Sequence, residues 1–126
     1  MSLEINITGA AKLAARLGVA RDKIIADVDA AVEAGAELIN DTAEELVRVK
    51  TGNLKSTIHV EETGQVMERI VKAGGSQAPY APFIEFGHMT KGGTQVGPFP
   101  FMRPALDARS AEIVNLIAKA VLSLLE

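Results

Sequence analysis

The sequence predicts an α+β fold, with a long N-terminal helix and a C-terminal helix packed on a small antiparallel sheet of about three to four strands. Three observations predict it. An apolar stripe recurs every three or four residues from Leu13 to Leu46; two central runs, 54–63 and 66–74, alternate at period two; and a second helical stripe follows Pro104 as far as Leu124. At 126 residues the chain is expected to form one domain over 1–126.

Taken in order, Glu4 to Thr8 (EINIT) alternates polar and apolar residues and predicts a short half-buried strand ending at Gly9. From Ala10 the stripe runs through Leu13, Leu17, Ile24, Val28, Ala31/Val32, Gly35, Leu38/Ile39, Thr42 and Leu46. An unbroken helix from Ala10 to Arg48 would be roughly 58 Å long, more than a small domain is wide, so a break near Gly18 is expected. Gly35 lies on the stripe itself. It sacrifices up to about 1 kcal/mol of helix propensity and would let another backbone come close, which marks a crossing point. The helix should end before Thr51-Gly52-Asn53, and LKSTIHVEET (54–63) and VMERIVKAG (66–74) then predict a hairpin turning at Gly64-Gln65. Ile58 and Val60 share a face, as do Met67, Arg69 and Val71, and the mixed character of these faces predicts a thin sheet covered by a helix on one side.

After the GGSQAP loop (74–79), Tyr80, Phe83 and Phe86 fall on one face of a helical turn, with Gly87 as its C-cap. Residues 87 to 97, GHMTKGGTQVG, predict a mobile loop or hairpin tip. Pro98 and Pro100 push Phe99 and Phe101 towards an extended strand, and Pro104 suits the first turn of the final helix. That helix is apolar on more than one side, because Val114, Leu122 and Leu125 extend beyond its main stripe, so it asks for more than one packing partner.

Composition narrows the function classes. The chain is 48% hydrophobic and 23% charged, has no cysteine, and contains no apolar run near the roughly 20 residues that cross a bilayer. Thiol chemistry, disulfides and thiolate metal sites are excluded, and no membrane partner is expected. The start, MSLEINITGA, lacks the features of a signal peptide, so synthesis in the cytoplasm is expected. Net charge is −3, which disfavours a nucleic-acid binder. Its distribution is uneven. Asp22, Asp27, Asp29, Glu33, Glu37, Asp41, Glu44 and Glu45 face only Lys23 across 22–46, whereas 47–109 carries more bases than acids. That is either a solvated acidic helix face or a surface that meets the basic region of a neighbouring copy.

No catalytic pattern stands out. His59 and His88 lack ligand spacing for a metal, and no cofactor or small-molecule substrate is expected. Glu85 and His88 lie three apart and offer the nearest acid/base pair, though Glu85 fits better as a hydrogen-bonding anchor for the loop. Ser56 and His59 have no orienting acid. A small hydrolase or nuclease using Glu85, His88 and His59 is the alternative reading.

What the chain does show is three ordered motifs. VRVKTGNLKSTI (Val47 to Ile58), YAPFIEFG (Tyr80 to Gly87) and PFPFMRPAL (Pro98 to Leu106), set between a long first helix and a last helix, resemble the HK97 gp10 family of tailed-phage proteins. In the first motif Thr51, Gly52, Leu54 and Ile58 match, while Lys55 and Thr57 stand where the family often has Arg and Ser, and the proline often seen just before it is missing. Tyr80, Ala81, Glu85, Phe86 and Gly87 match the second motif; Pro100, Phe101, Arg103, Pro104, Ala105 and Leu106 match the third. The resemblance implies a non-enzymatic virion protein of a siphovirus-like phage or prophage, made in the host bacterial cytoplasm and placed at the neck or tail. It would act in head–tail joining or tail completion as a homo-oligomeric ring that meets neck, connector or tail proteins, with no sequence-specific nucleic acid bound.

In that setting Tyr80, Phe83, Phe86, Phe99 and Phe101 are expected to knit the short turn, the third strand and the last helix together. Arg103 is expected to pair with Glu85. The segment His88, Met89, Thr90, Lys91, Gly92, Gly93, Thr94, Gln95, Val96 and Gly97 is expected to reach a partner.

Overall fold

The structure, a computed structural model, describes residues 2–9, 21–47 and 52–123. Its elements are β1 (Ser2–Ile7), α1 (Arg21–Leu46), α2 (Asn53–Ser56), β2 (His59–Glu62), β3 (Arg69–Gly74), α3 (Ala81–Phe86), β4 (His88–Met89), β5 (Gln95–Val96) and α4 (Met102–Leu122). The α+β class is as expected. The break near Gly18 falls outside the described residues, as do Thr51 and Leu125.

Strands β1, β3 and β2 form an antiparallel sheet in that order, so β3 is central. Register places Leu3, Ile5 and Ile7 opposite Ala73, Val71 and Arg69, and Val60 opposite Val71, all on one face. Along β3, residues 69, 71 and 73 are buried while 70, 72 and 74 are half-buried, as a sheet covered on one side requires. The covering layer is α1 with α4 packed along it. From α1 the stripe residues Ile24, Val28, Val32, Ile39 and Thr42 are buried as read from sequence, joined by Ala36 and Ala43, whereas Leu46, expected on the same stripe, is 44% exposed.

Gly35 marks the crossing of the two long helices. A Cβ there would sit 3.1 Å from both Cγ1 and Cγ2 of Ile113, so the absent side chain is what lets α4 come so near. Further along α1, Arg109 Nε donates to Thr42 Oγ1 at 2.8 Å, and that hydroxyl donates to the Leu38 carbonyl, so the polar residue on the stripe is satisfied.

The buried Arg69 fixes the sheet to α1. Its guanidinium donates to both carboxylate oxygens of Asp29 at 3.0 Å, to Glu33 Oε2, and to the Glu68 carbonyl at 2.8 Å. Asp29 also accepts the backbone N–H of Met67 at 2.8 Å, holding that residue at φ 58 in the turn before β3. These interactions hold the Asp29 carboxyl below the usual range, the Arg69 hydrogen bond being the main cause, and raise the Arg69 guanidinium above its already high value. Fork-to-carboxylate geometry is what favours arginine over lysine at such a buried site.

Two expectations need correction. The first strand of the hairpin does not begin at Leu54: residues 53–56 close a helical turn, with the Ser56 N–H on the Gly52 carbonyl at 3.0 Å, and β2 begins at His59. Leu54 and Ile58, four apart, are buried together in the core, and that spacing satisfies a helical turn as readily as an alternation. Thr57 joins this turn to the sheet, its hydroxyl donating to the Leu54 carbonyl at 2.6 Å and accepting the Gly74 N–H at 2.8 Å. The second correction concerns Phe99 and Phe101, which lie on no strand. Residues 97–101 are irregular, and Phe99 N–H reaches the Ile84 carbonyl at 2.8 Å instead.

Candidate functional site

Helix α3 and the start of α4 meet at Glu85, and the β4–β5 hairpin lies between them in the chain. A prolyl residue at the beginning of α3 is compatible with a first turn, and Ala81 is wholly buried, so the short helix is seated from its first residue. Glu85, only 5% exposed, turns back towards α4. Its Oε2 accepts the backbone N–H groups of Phe101 at 2.8 Å and Met102 at 3.0 Å, and its Oε1 accepts that of Arg103 at 2.9 Å. Phe101, the residue before α4, makes no side-chain cap of its own. A carboxylate from another element therefore supplies the cap, meeting the unpaired N–H groups and the positive end of the helix at once.

The expected side-chain pair between Glu85 and Arg103 is not formed. Arg103 points outwards and pairs with Asp107 at 3.2 Å, one turn along its own helix; its backbone, rather than its guanidinium, holds Glu85. The acid/base pair of Glu85 and His88 is not formed either, because both carboxylate oxygens are committed to backbone amides. The His88 ring lies 5.4 Å from that of Phe83, and its Nδ1 is buried with no hydrogen-bond partner. His59 stands on β2, where it lines an open polar cleft of about 440 Å³ together with Ser56, Thr57, Glu61, Lys72 and Ser76. Ser56 donates to the Asn53 carbonyl at 2.7 Å. Glu85 and His88 are not among the residues that line this cleft.

Gly87 ends α3 at φ 79, and a Cβ there would lie 2.9 Å from Gln95 Nε2 and 3.1 Å from both Pro98 N and Val96 O. Only glycine lets the hairpin fold so close to the strand that returns from it. In the hairpin His88 pairs with Val96 and Met89 with Gln95, and the tip is stitched by Thr90 N–H to Thr94 O at 2.8 Å and Gly93 N–H to Thr90 O at 3.0 Å. The segment expected as a loop or hairpin tip is a hydrogen-bonded hairpin.

The aromatic residues divide in two. Phe101 is wholly buried, and Tyr80 packs against the main core. Phe83, Phe86 and Phe99 are 48%, 71% and 38% exposed, and Met89, in β4, is 61% exposed. The expectation that all five aromatics knit the short turn, the third strand and the last helix together is thus corrected: three of them stand at the surface of this chain, with Lys91 exposed at the hairpin tip.

The remaining motif residues are structural. Gly52 holds φ 80, Leu54 and Ile58 enter the core, Pro104 lies in the first turn of α4, Ala105 is buried and Leu106 packs on the core, while Pro100 is exposed. Arg69, Asp29 and Glu33 were not singled out from sequence. The available signal was an arginine sharing a strand face with Met67 and Val71. Among the described residues no group of His, Asp and Glu is placed to hold a metal ion, and no helix is long and apolar enough to cross a membrane.

No curated protein and no solved structure matches the chain significantly. Residues 11–87, more than half of the chain, match the family model described as "Bacteriophage HK97-gp10, putative tail-component". That span includes the first two motifs, Val47 to Ile58 and Tyr80 to Gly87, with the Glu85 anchor inside the second. The chain belongs to the HK97-gp10-like family of bacteriophage tail components.

Proposed function

We propose that this chain is a one-domain structural protein of a siphovirus-like phage or prophage, acting at the neck or tail of the virion in head–tail joining or tail completion. It works by assembling copies of itself into a ring, which then meets connector or tail proteins. The observation that carries this reading is the group Phe83, Phe86, Met89 and Phe99, large apolar side chains exposed on α3, on the stitched hairpin and on the irregular segment that follows it. Aromatic anchors held rigidly at a surface lose little entropy on docking and dominate interface energetics.

A second copy is the occupant favoured by the charges. Glu37, Asp41 and Glu45 form an exposed stripe along α1 with no basic partner among the described residues, and Leu46 beside them is 44% exposed. Burial and the neighbouring carboxylates, Glu33 foremost, raise the Glu37 carboxyl above its ordinary value. The hairpin offers the opposite surface, apolar with Lys91 at its tip. Two unlike surfaces on one chain make a head-to-tail contact, the kind that closes into a ring.

The test is genetic. In a phage lacking its gene for this chain, heads and tails should accumulate unjoined, and supplying the chain should restore complete particles. Normal yields of infectious particles without it would overturn the proposal.

A further inference from the structure

A polar network crosses the uncovered face of the sheet and ends at a histidine with no neutral solution. Lys72, on the central strand, reaches Glu4 of β1 at 3.4 Å and Glu61 of β2 at 3.1 Å. Glu61 Oε1 lies 2.8 Å from His59 Nε2, and His59 Nδ1 lies 2.6 Å from the Thr57 carbonyl, just after the α2 turn. A carbonyl oxygen only accepts, so Nδ1 carries a proton. Glu61 is held ionised by Lys72 on its other oxygen, so Nε2 carries one as well. Both bonds exist together only in the imidazolium form.

We propose that His59 is a pH-operated latch: as imidazolium it holds both the Thr57 carbonyl, just after α2, and Glu61 on the edge strand β2, and its deprotonation forfeits one of those two bonds and loosens that edge. Strand β2 has β3 on one side only, so its hold on the sheet is the weaker for having a single neighbour. The groups that face the latch are Glu61 from its own strand, Lys72 from β3, and Glu4 of β1 acting through Lys72; Ser56, Ser76 and Gln77, which share the cleft, are uncharged. The direction of titration agrees. The Glu61 hydrogen bond first, then the Thr57 carbonyl, raise the pKa of His59, while burial and, after it, Lys72 oppose them. For a histidine raised in the folded state, the stabilisation is complete below the ordinary value of about 6.5 and is lost as pH climbs through the folded value.

The experiment is a titration of the full chain by NMR, following both imidazoles, with amide exchange of residues 59–62 recorded across the same pH range. His59 is expected to titrate above about 6.5, with both ring nitrogens protonated below that point, and the β2 amides should lose protection as it deprotonates. Glu61→Gln should move the His59 titration down. In His59→Gln the pH step in β2 protection should vanish, while it persists in His88→Gln. A His59 that titrates at or below about 6.5, or a β2 edge whose protection ignores its titration, would overturn the proposal. If His59→Gln does not fold, the wild-type titration and exchange decide alone.

Discussion

Replacing Glu85 with alanine removes the acceptor for three N–H groups at the start of α4. Two belong to buried residues, Phe101 at 0% and Met102 at 4% exposed, and cannot turn to water; the third belongs to the exposed Arg103 and can. An unsatisfied buried donor costs about 1–3 kcal/mol, so the two together predict a loss of about 3 kcal/mol, inclusive of the lost helix-end interaction. Glu85→Gln keeps one acceptor oxygen and should lose roughly half as much. The assay is urea unfolding with the slope unchanged from wild type, supported by a melting temperature lower by roughly 10 °C for the alanine variant. Arg103→Ala is the control: the side chain is exposed and pairs with Asp107 on its own helix, so it should change stability by less than about 0.5 kcal/mol. If Glu85→Ala cost less than about 0.5 kcal/mol, or Arg103→Ala cost as much as Glu85→Ala, the backbone-capping argument would fail.

Gly35→Val should destabilise by about 1–3 kcal/mol, because its side chain must displace Ile113 from a helix crossing that is already tight; a neutral result in thermal unfolding would show that the crossing is loose. Asp29, whose carboxyl is lowered chiefly by Arg69, contributes stability that is present above its ordinary value near 4 and is lost as pH falls through the lower folded value. Asp29→Asn should therefore flatten the acid limb of a stability–pH curve, and an unchanged limb would contradict that role. Assembly should weaken as salt rises from about 0.1 M to about 1 M, over which the Debye length falls from about 10 Å to about 3 Å. Salt-independent light scattering would point to a purely apolar interface.

The helices were legible because burial imposes a period that survives any detail of packing: Ile24, Val28, Val32, Ile39 and Thr42 are buried where the stripe put them, and Gly35 meets the other helix. Short elements were less legible. Leu54 and Ile58 fit both a helical turn and a strand, and the choice is made by the Gly52 turn and the Thr57 hydroxyl, which are tertiary facts. The concentration of aromatics between Tyr80 and Phe101 was plain, but composition reports size and apolarity without direction. Phe101 points in and Phe86 points out, and nothing in their spacing says so. Glu85 was readable as an anchor; its partners were not, since backbone amides leave no trace in sequence. Arg69 was placed on its strand face correctly, yet its two carboxylates lie some forty residues earlier on α1.

The central claim is that the exposed hairpin surface drives assembly, and the mass of the purified chain in solution tests it most directly. Wild type measured by light scattering over a range of concentrations should rise above the mass of one chain, while Phe86→Ser combined with Met89→Ser should stay at that mass with an unchanged melting temperature. Equal masses for the two proteins, or a wild type that never exceeds one chain, would contradict it.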